Sequence, residues 1–127
     1  MRWYTKTHDW LERVGAGGVF RTGVTRPLAR RLDGPVTRLE LPTPGTRLRL
    51  GQVCGTIGSA RNTFRLYATA TGRVLETNER LTGSFEVLDA DPEGEGWLYT
   101  LEHGSPLELE ALCDEVEYRR FADDQDG

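Results

Sequence analysis

The chain has very little lysine and cysteine, and it has no long apolar run. Of its 16 basic residues 15 are arginine, so Lys6 is the only lysine. Cys54 and Cys113 lie far apart, with no Cys or His at metal-ligand spacing, which excludes a disulfide framework and a zinc motif. No segment approaches the roughly 20 apolar residues that cross a bilayer, and the first residues lack the apolar stretch of a secretory signal. We therefore expect a cytoplasmic protein without a metal or a membrane partner.

The sequence does have enough apolar material for one core. A length of 127 residues, of which 37% are hydrophobic, fits a single domain over residues 1–127. The charge is uneven, because residues 1–82 carry 14 basic and 6 acidic side chains and residues 83–127 carry 2 and 14. Such asymmetry can indicate a nucleic-acid partner, but the basic residues are scattered along predicted strands. We expect instead that the two segments attract each other within one domain.

Short apolar runs separated by turns predict mostly β structure. Residues 10–13 and 19–24 flank a glycine-rich turn, which predicts a hairpin. A short helix is predicted next, with Thr25 as its N-cap and Pro27 in its first turn, until Asp33-Gly34-Pro35 ends it. Further strands are predicted at residues 36–41, 47–50, 53–57, 64–68, 73–76 and 97–101.

The C-terminal part has helical spacing. Ser105-Pro106-Leu107-Glu108 is a capping box with proline at the first helical position. Apolar residues then recur at helical spacing: Leu109, Leu112 and Val116. This pattern predicts a helix over about residues 105–121, followed by a frayed acidic tail over residues 122–127. Cys113 is expected to pack on the apolar side of the helix.

Six sequence blocks, taken in order, resemble the H protein of glycine cleavage, a relative of lipoyl domains. The blocks are Tyr4-Thr5-Lys6-Thr7-His8-Asp9-Trp10, Gly23-Val24-Thr25, Leu39-Glu40-Leu41-Pro42 with Gly45, Leu66-Tyr67-Ala68 with Gly72, Asn78-Glu79, and Asp91-Pro92-Glu93-Gly94-Glu95-Gly96-Trp97-Leu98. The resemblance implies a mostly β, lipoyl-domain-like fold (barrel-sandwich hybrid). That fold has two small antiparallel sheets, a short helix after the first hairpin and a C-terminal helix. The resemblance also implies a cofactor arm on a lysine at a hairpin tip.

Arg61 stands at the position of that lysine. The family pattern reads Glu-Ser-x-Lys, and this chain has Gly58-Ser59-Ala60-Arg61 between two predicted strands. Lipoate is attached as an amide, which requires an amine that can lose its proton. A guanidinium has a pKa above about 12 and delocalised lone pairs, so Arg61 is not modifiable. Lys6 belongs to the N-terminal block, and we therefore predict no lipoyl group and no other cofactor.

The residues around Arg61 define a candidate interaction surface. Relative to the family pattern, Arg26, Gly58 and Arg65 replace acidic residues and Phe64 replaces a small one. Arg61 can make forked hydrogen bonds to a carboxylate or phosphate. The alternative is a loop side chain without a role, left by neutral drift. Arginine and phenylalanine together can also stack on single-stranded nucleic acid, but three residues are too few for us to expect this partner.

The sequence leaves three functions open. The first is a non-enzymatic binding, regulatory or scaffold protein, whose partners by resemblance are the glycine decarboxylase, the aminomethyltransferase, the dihydrolipoyl dehydrogenase and the lipoyl-attaching enzymes. The second is a carrier or redox protein in which an exposed Cys54 thiol of low pKa holds another group, although Cys54 can equally be a buried small hydrophobe. The third is a structural subunit of a larger complex. His8 and His103 have no nucleophile or acid at motif spacing, so we expect no enzyme. We expect a monomer.

Overall fold

The chain folds into two antiparallel sheets, as predicted. A computed structural model describes residues 2–15, 17–103 and 106–126. The strands in the described residues are β1 (Arg2–Tyr4), β2 (Asp9–Arg13), β3 (Val19–Val24), β4 (Arg38–Glu40), β5 (Arg47–Leu48), β6 (Val53–Gly58), β7 (Thr63–Tyr67), β8 (Gly72–Thr77) and β9 (Tyr99–Glu102). The larger sheet has the order β1-β2-β3-β9-β8-β5, and the smaller has the order β4-β6-β7.

The first hairpin, β2–β3, confirms the prediction from residues 10–13 and 19–24. Trp10 of β2 lies opposite Gly23 of β3. A Cβ atom on Gly23 would lie 2.8 Å from the indole ring, so the glycine is what allows the ring to lie against β3. The indole N–H donates to the carbonyl of Pro92 at 2.9 Å. This bond connects the hairpin to the loop that contains Pro92.

Four α-helices lie in the described residues: α1 (Arg26–Arg31), α2 (Glu86–Ala90), α3 (Pro106–Glu110) and α4 (Glu115–Asp126). Helix α1 begins and ends as predicted. The Thr25 hydroxyl accepts a hydrogen bond from the amide of Leu28 at 3.4 Å, and Pro27 lies in the first turn. After Leu32, Asp33 adopts a φ of 53°, the left-handed conformation that ends many helices. None of the helices in the described residues is long and apolar enough to cross a membrane.

The C-terminal helix predicted over about residues 105–121 is instead the two helices α3 and α4. Cys113 exchanges two backbone hydrogen bonds of 2.8 Å with Tyr4, which takes its amide and carbonyl out of any helix. The Asp114 carboxylate then accepts from the amide of Glu117 at 2.8 Å, and the Glu117 carboxylate accepts from the amide of Asp114 at 3.3 Å. This reciprocal capping begins α4. Ser105, the predicted cap, lies outside the described residues.

The residues of the C-terminal region that pack on the rest of the protein also differ from those predicted. Val116 is 66% exposed, whereas Tyr118 and Ala122 are buried against Tyr4 and Trp10. The ring of Tyr118 stacks on that of Tyr4 with a centroid distance of 4.8 Å. Helix α4 continues to Asp126, so residues 122–126 are not the frayed tail that we expected. Burial of the aromatic face of α4 stabilises this part of the helix.

The core between the two sheets is apolar. Its fully buried side chains include Leu11, Phe20, Ile57, Leu66, Leu98 and Leu101. At its surface, described residues of the basic first segment pair with described residues of the acidic second segment: Arg2–Glu93 at 3.7 Å, Arg73–Glu102 at 3.8 Å and Arg80–Glu95 at 2.6 Å. These contacts agree with the expected packing of the two segments in one domain.

Candidate functional site at the hairpin tip

The tip between β6 and β7 is tied to the end of α1 by side-chain hydrogen bonds. Ser59 is completely buried, and its hydroxyl donates to the carbonyl of Leu32. The same hydroxyl accepts from the amides of Arg61 at 3.1 Å and Asn62 at 3.2 Å. The Asn62 amide group donates to the carbonyl of Arg31 at 2.9 Å. The tip is therefore a fixed turn, and it uses the carbonyls left unpaired at the end of α1.

Arg61 projects from this turn into solvent, as predicted. Its side chain is 73% exposed, and its guanidinium lies 3.3 Å from the carboxylate of Asp33. Asp33 is 67% exposed, and an ion pair between two such exposed groups contributes at most about 1 kcal/mol. A partner that binds Arg61 can therefore displace Asp33 at little cost. Sequence reasoning missed this pairing, although Asp33 follows directly after the predicted helix.

Phe64 does not lie on the surface with the arginines, which corrects the predicted interaction surface. Cross-strand neighbours in a sheet share a face, and Phe64 lies opposite Ile57, which lies opposite Leu39. Phe64 is half-buried and packs against the core through this inner face. Arg65, one residue on, lies opposite Thr56 on the outer face and is exposed. The tip therefore presents Arg61 and Arg65 to a partner, but not the ring of Phe64. Stacking of Phe64 on nucleic-acid bases is thus not supported.

The outer face carries a further arginine that the sequence did not single out. Arg38 of β4 donates to the hydroxyl of Thr63 on β7 at 2.6 Å, across the intervening strand β6. A Cβ atom on Gly58 of β6 would lie 2.6 Å from the Arg38 guanidinium. The glycine that replaces the acidic residue of the family pattern thus makes room for Arg38. Arg38 and Arg65 share this face with one acidic residue, Glu40, which lies in register with Thr56 and Arg65, so basic residues outnumber acidic ones next to the tip.

Arg26 lies at the opposite end of α1 from the tip. Its backbone amide donates to the Glu93 carboxylate at 2.7 Å, and its guanidinium donates to the carbonyl of Ala90 at 3.4 Å. Six helical residues separate the two ends, which corresponds to about 9 Å. Arg26 therefore lies about the length of α1 away from the tip that carries Arg61.

Cys54 does not have the properties of a carrier thiol. It is half-buried, and its Sγ lies 3.5 Å from the Tyr99 hydroxyl. Burial raises the pKa of the Cys54 thiol above its usual value. A reactive thiol needs a lowered pKa and an exposed position. The structure thus contradicts the exposed, low-pKa thiol that the second function requires and supports the description of Cys54 as a small hydrophobe.

The two histidines have structural partners. His8 Nδ1 lies 2.6 Å from the Tyr118 hydroxyl, and its Nε2 lies 3.2 Å from the Arg31 guanidinium. His103 donates through Nδ1 to the carbonyl of Thr71 at 2.6 Å. Both side chains are buried. They connect α4 and β9 to neighbouring segments.

The only lysine lies away from the tip. Lys6 is in the turn between β1 and β2, and its ammonium is 5.7 Å from the centroid of the Phe121 ring on α4. The exposed tip residue is Arg61, whose guanidinium cannot form the amide that a lipoyl group needs. The side chains present at the tip therefore do not fit attachment of that group.

Two antiparallel sheets enclose one core, and the hairpin formed by β6 and β7 carries Arg61 at its tip. These features define a lipoyl-domain-like fold. The chain superimposes on the crystal structure of a glycine cleavage system H protein from Mycobacterium marinum with a TM-score of 0.80 and 28% identity, over 94% of each chain. This likeness confirms the predicted fold class.

Sequence comparison then gives the family. The profile of the family described as glycine cleavage H-protein matches residues 2–125. The chain is 37% identical to the glycine cleavage system H protein of Thermotoga maritima over 121 residues, which is 95% of either chain. It is 35% identical over 123 residues to that of Anaeromyxobacter sp. (strain K), covering 97% of this chain and 94% of the relative. The chain belongs to the glycine cleavage H-protein family.

Proposed function

We propose that this chain is an H-protein family member without lipoate, with Arg61 at the position of the lipoyl lysine. The observation that carries the proposal is the geometry of the tip. Ser59 and Asn62 hold a turn from which Arg61 projects with 73% of its side chain exposed. The exposed tip residue is thus a permanent cation, where acylation would require an amine.

We further propose that the chain acts as a non-enzymatic binding, regulatory or scaffold protein in the cytoplasm. Its partners would be the enzymes that handle an H protein: the glycine decarboxylase, the aminomethyltransferase, the dihydrolipoyl dehydrogenase or a lipoyl-attaching enzyme. The likeness of the fold to a glycine cleavage system H protein supports this, because a chain of similar overall shape can reach the same docking sites. Arg61 at the tip, with Arg38 and Arg65 on the outer face beside it, outnumbers Glu40 on that face and favours a partner with an acidic surface at the docking site. A role as a structural subunit of a larger complex is the weaker proposal, because no particular contact favours it.

Intact-mass spectrometry of the protein purified from its own source tests the first proposal. We expect the mass of the unmodified chain. An added lipoyl group on any residue would overturn the proposal. The Arg61→Lys variant, produced in lipoylation-competent cells, asks whether the rest of the hairpin is still recognised by attaching enzymes. Arg47→Lys on β5 is the matched control, because it adds a lysine at an exposed position away from the tip.

Binding measurements with each purified enzyme test the second proposal. The chain is immobilised, and binding is measured at low and at high salt, because pairing between charged surfaces weakens as salt rises. We expect at least one enzyme to bind, and we expect Arg61→Ala or Arg65→Ala to weaken that binding several-fold. Arg47→Ala should leave it unchanged. Absence of binding to all of these enzymes would contradict the proposal, while leaving the mass measurement intact.

A further inference from the structure

A second surface, away from the tip, combines apolar walls with two arginines. It is an open groove of about 390 Å³ between α1, the loop before β4, β6 and α2. Its apolar lining includes Leu32, Val36, Ile57 and Leu88, all of which are at most 7% exposed, and the half-buried Ala29. The core side chains form the floor of the groove and have almost no accessible surface, so an apolar ligand would lie against Ala29, Pro35 and Val36 at its wall.

Two cations stand at the edge of this groove. Arg26 and Arg30 also line it, and they are four residues apart on α1, which places them on the same face of the helix. The Arg26 guanidinium is held beside the end of α2 by its bond to the carbonyl of Ala90 at 3.4 Å. Within the described residues, the Arg30 side chain makes no hydrogen bond or ion pair. Like charges at this spacing repel each other, and an anion between them would relieve the repulsion.

The acidic side chain that lines the groove is directed to another contact. Asp89 accepts a hydrogen bond from the backbone amide of Val36 at 2.9 Å, which closes the loop over α2. The groove thus has an apolar floor, and its two arginines outnumber the one carboxylate, whose oxygen is held by Val36, within a chain whose net charge is −4. This arrangement is complementary to a ligand with one anionic group and an apolar tail.

We propose that this groove binds a small monocarboxylate with an aliphatic tail of about six carbons. The tail lies against Ala29, Pro35 and Val36, and the carboxylate is bound between Arg26 and Arg30 through charge-assisted hydrogen bonds. The volume is at the lower end of the range for ligand sites, about 300–1,000 Å³, so a short ligand is favoured. An apolar cavity of about 150 Å³ already admits benzene, so six carbons fit.

Titration of the whole ¹⁵N-labelled chain with hexanoate, followed by NMR, tests the proposal. We expect saturable shifts at the amides of residues 29–34, of Val36, and of Ile57 and Leu88, which form the floor. Acetate, hexylamine and inorganic phosphate are the comparison probes, because each lacks the tail or the carboxylate. Each should bind at least about five-fold more weakly than hexanoate. Equal binding of hexylamine or of phosphate would overturn the proposal.

Two variants distinguish the contribution of charge to hexanoate binding from the contribution of the groove's shape. Arg30→Gln should weaken hexanoate binding about three-fold, the effect of one exposed charge pair. Ala29→Leu extends into the groove without changing the charge and should weaken binding more strongly. Arg47→Gln on β5 is the control and should bind as the unaltered chain does.

Nuclear Overhauser contacts provide a test that does not depend on any variant. We expect contacts between the terminal methyl group of hexanoate and the methyl groups of Ala29 and Val36 in the unaltered protein. If Ala29→Leu fails to fold, these contacts decide the question. Their absence at saturating hexanoate would overturn the proposal.

Discussion

Replacing Ser59 by alanine should loosen the hairpin tip and lower the stability of the whole protein. The hydroxyl donates to the Leu32 carbonyl and accepts from the amides of Arg61 at 3.1 Å and Asn62 at 3.2 Å. Each bond contributes about 0.5–1.5 kcal/mol net. The two amides lie in an exposed turn and can bond to water in the variant, so they contribute the smaller values. We therefore expect Ser59→Ala to lower the free energy of unfolding by about 2 kcal/mol.

Urea unfolding and a thermal melt measure this loss. For a chain of 127 residues, 2 kcal/mol corresponds to a fall in Tm of about 6–10 °C. Hydrogen exchange should be faster at the amides of Arg61 and Asn62. Ser84→Ala is the matched control, because this exposed hydroxyl accepts one long bond, from Glu86 at 3.3 Å, and should contribute under about 1 kcal/mol. We do not expect the free energy of unfolding of Ser59→Ala to lie within about 0.5 kcal/mol of that of the unaltered protein. Such a value, with unchanged hydrogen exchange at the tip, would refute a stabilising role for the Ser59 hydroxyl.

Three further predictions concern other parts of the molecule. Burial raises the pKa of Asp9 to about 8, so between pH 3.8 and about 8 the folded protein binds more protons than the unfolded chain. The free energy of unfolding should fall as pH rises through that range, and urea titrations should give a flatter profile for Asp9→Asn. Asp114→Ala removes the cap of α4 and should lower the free energy of unfolding by about 1 kcal/mol in urea, whereas Glu115→Ala should change it by less than about 0.5 kcal/mol. Because the pKa of Cys54 is raised by burial, iodoacetamide should label Cys54 more slowly than glutathione at pH 8, as measured by peptide mapping. Labelling at the rate of glutathione would restore the carrier-thiol hypothesis.

The elements that the sequence predicts correctly have a local signal. Helix α1 has both a cap, Thr25, and a breaker, Asp33. Strands β2 and β3 alternate around a glycine-rich turn. The missed elements lack such a signal: β1 has three residues, which pair with β2 and, through Tyr4, with Cys113, and α2 begins after Phe85, which provides no side-chain cap. Tertiary contacts determine such segments more than propensity does.

The C-terminal region was mispredicted for a related reason. A continuous helix through Cys113 satisfies the apolar spacing, but it cannot account for a backbone pairing with Tyr4, more than a hundred positions away. The capping box formed by Asp114 and Glu117 was visible in the sequence and marks the restart. At the tip, the exposure of Arg61 was predictable from its turn. Its pairing with Asp33 was not, because that contact joins two elements.

Side chains of β7 point alternately to the two faces of the sheet. One face packs in the core and is needed for folding, and the other is exposed to a partner. Phe64 and Leu66 face the core, and Arg65 faces solvent between them. Substitutions at exposed positions usually change stability by less than about 0.5 kcal/mol, so the outer row can change from acid to base with no effect on the fold. An insertion of one residue in the turn would instead exchange the two faces. Evolution of a new specificity in this hairpin is therefore open to substitution and closed to changes of length.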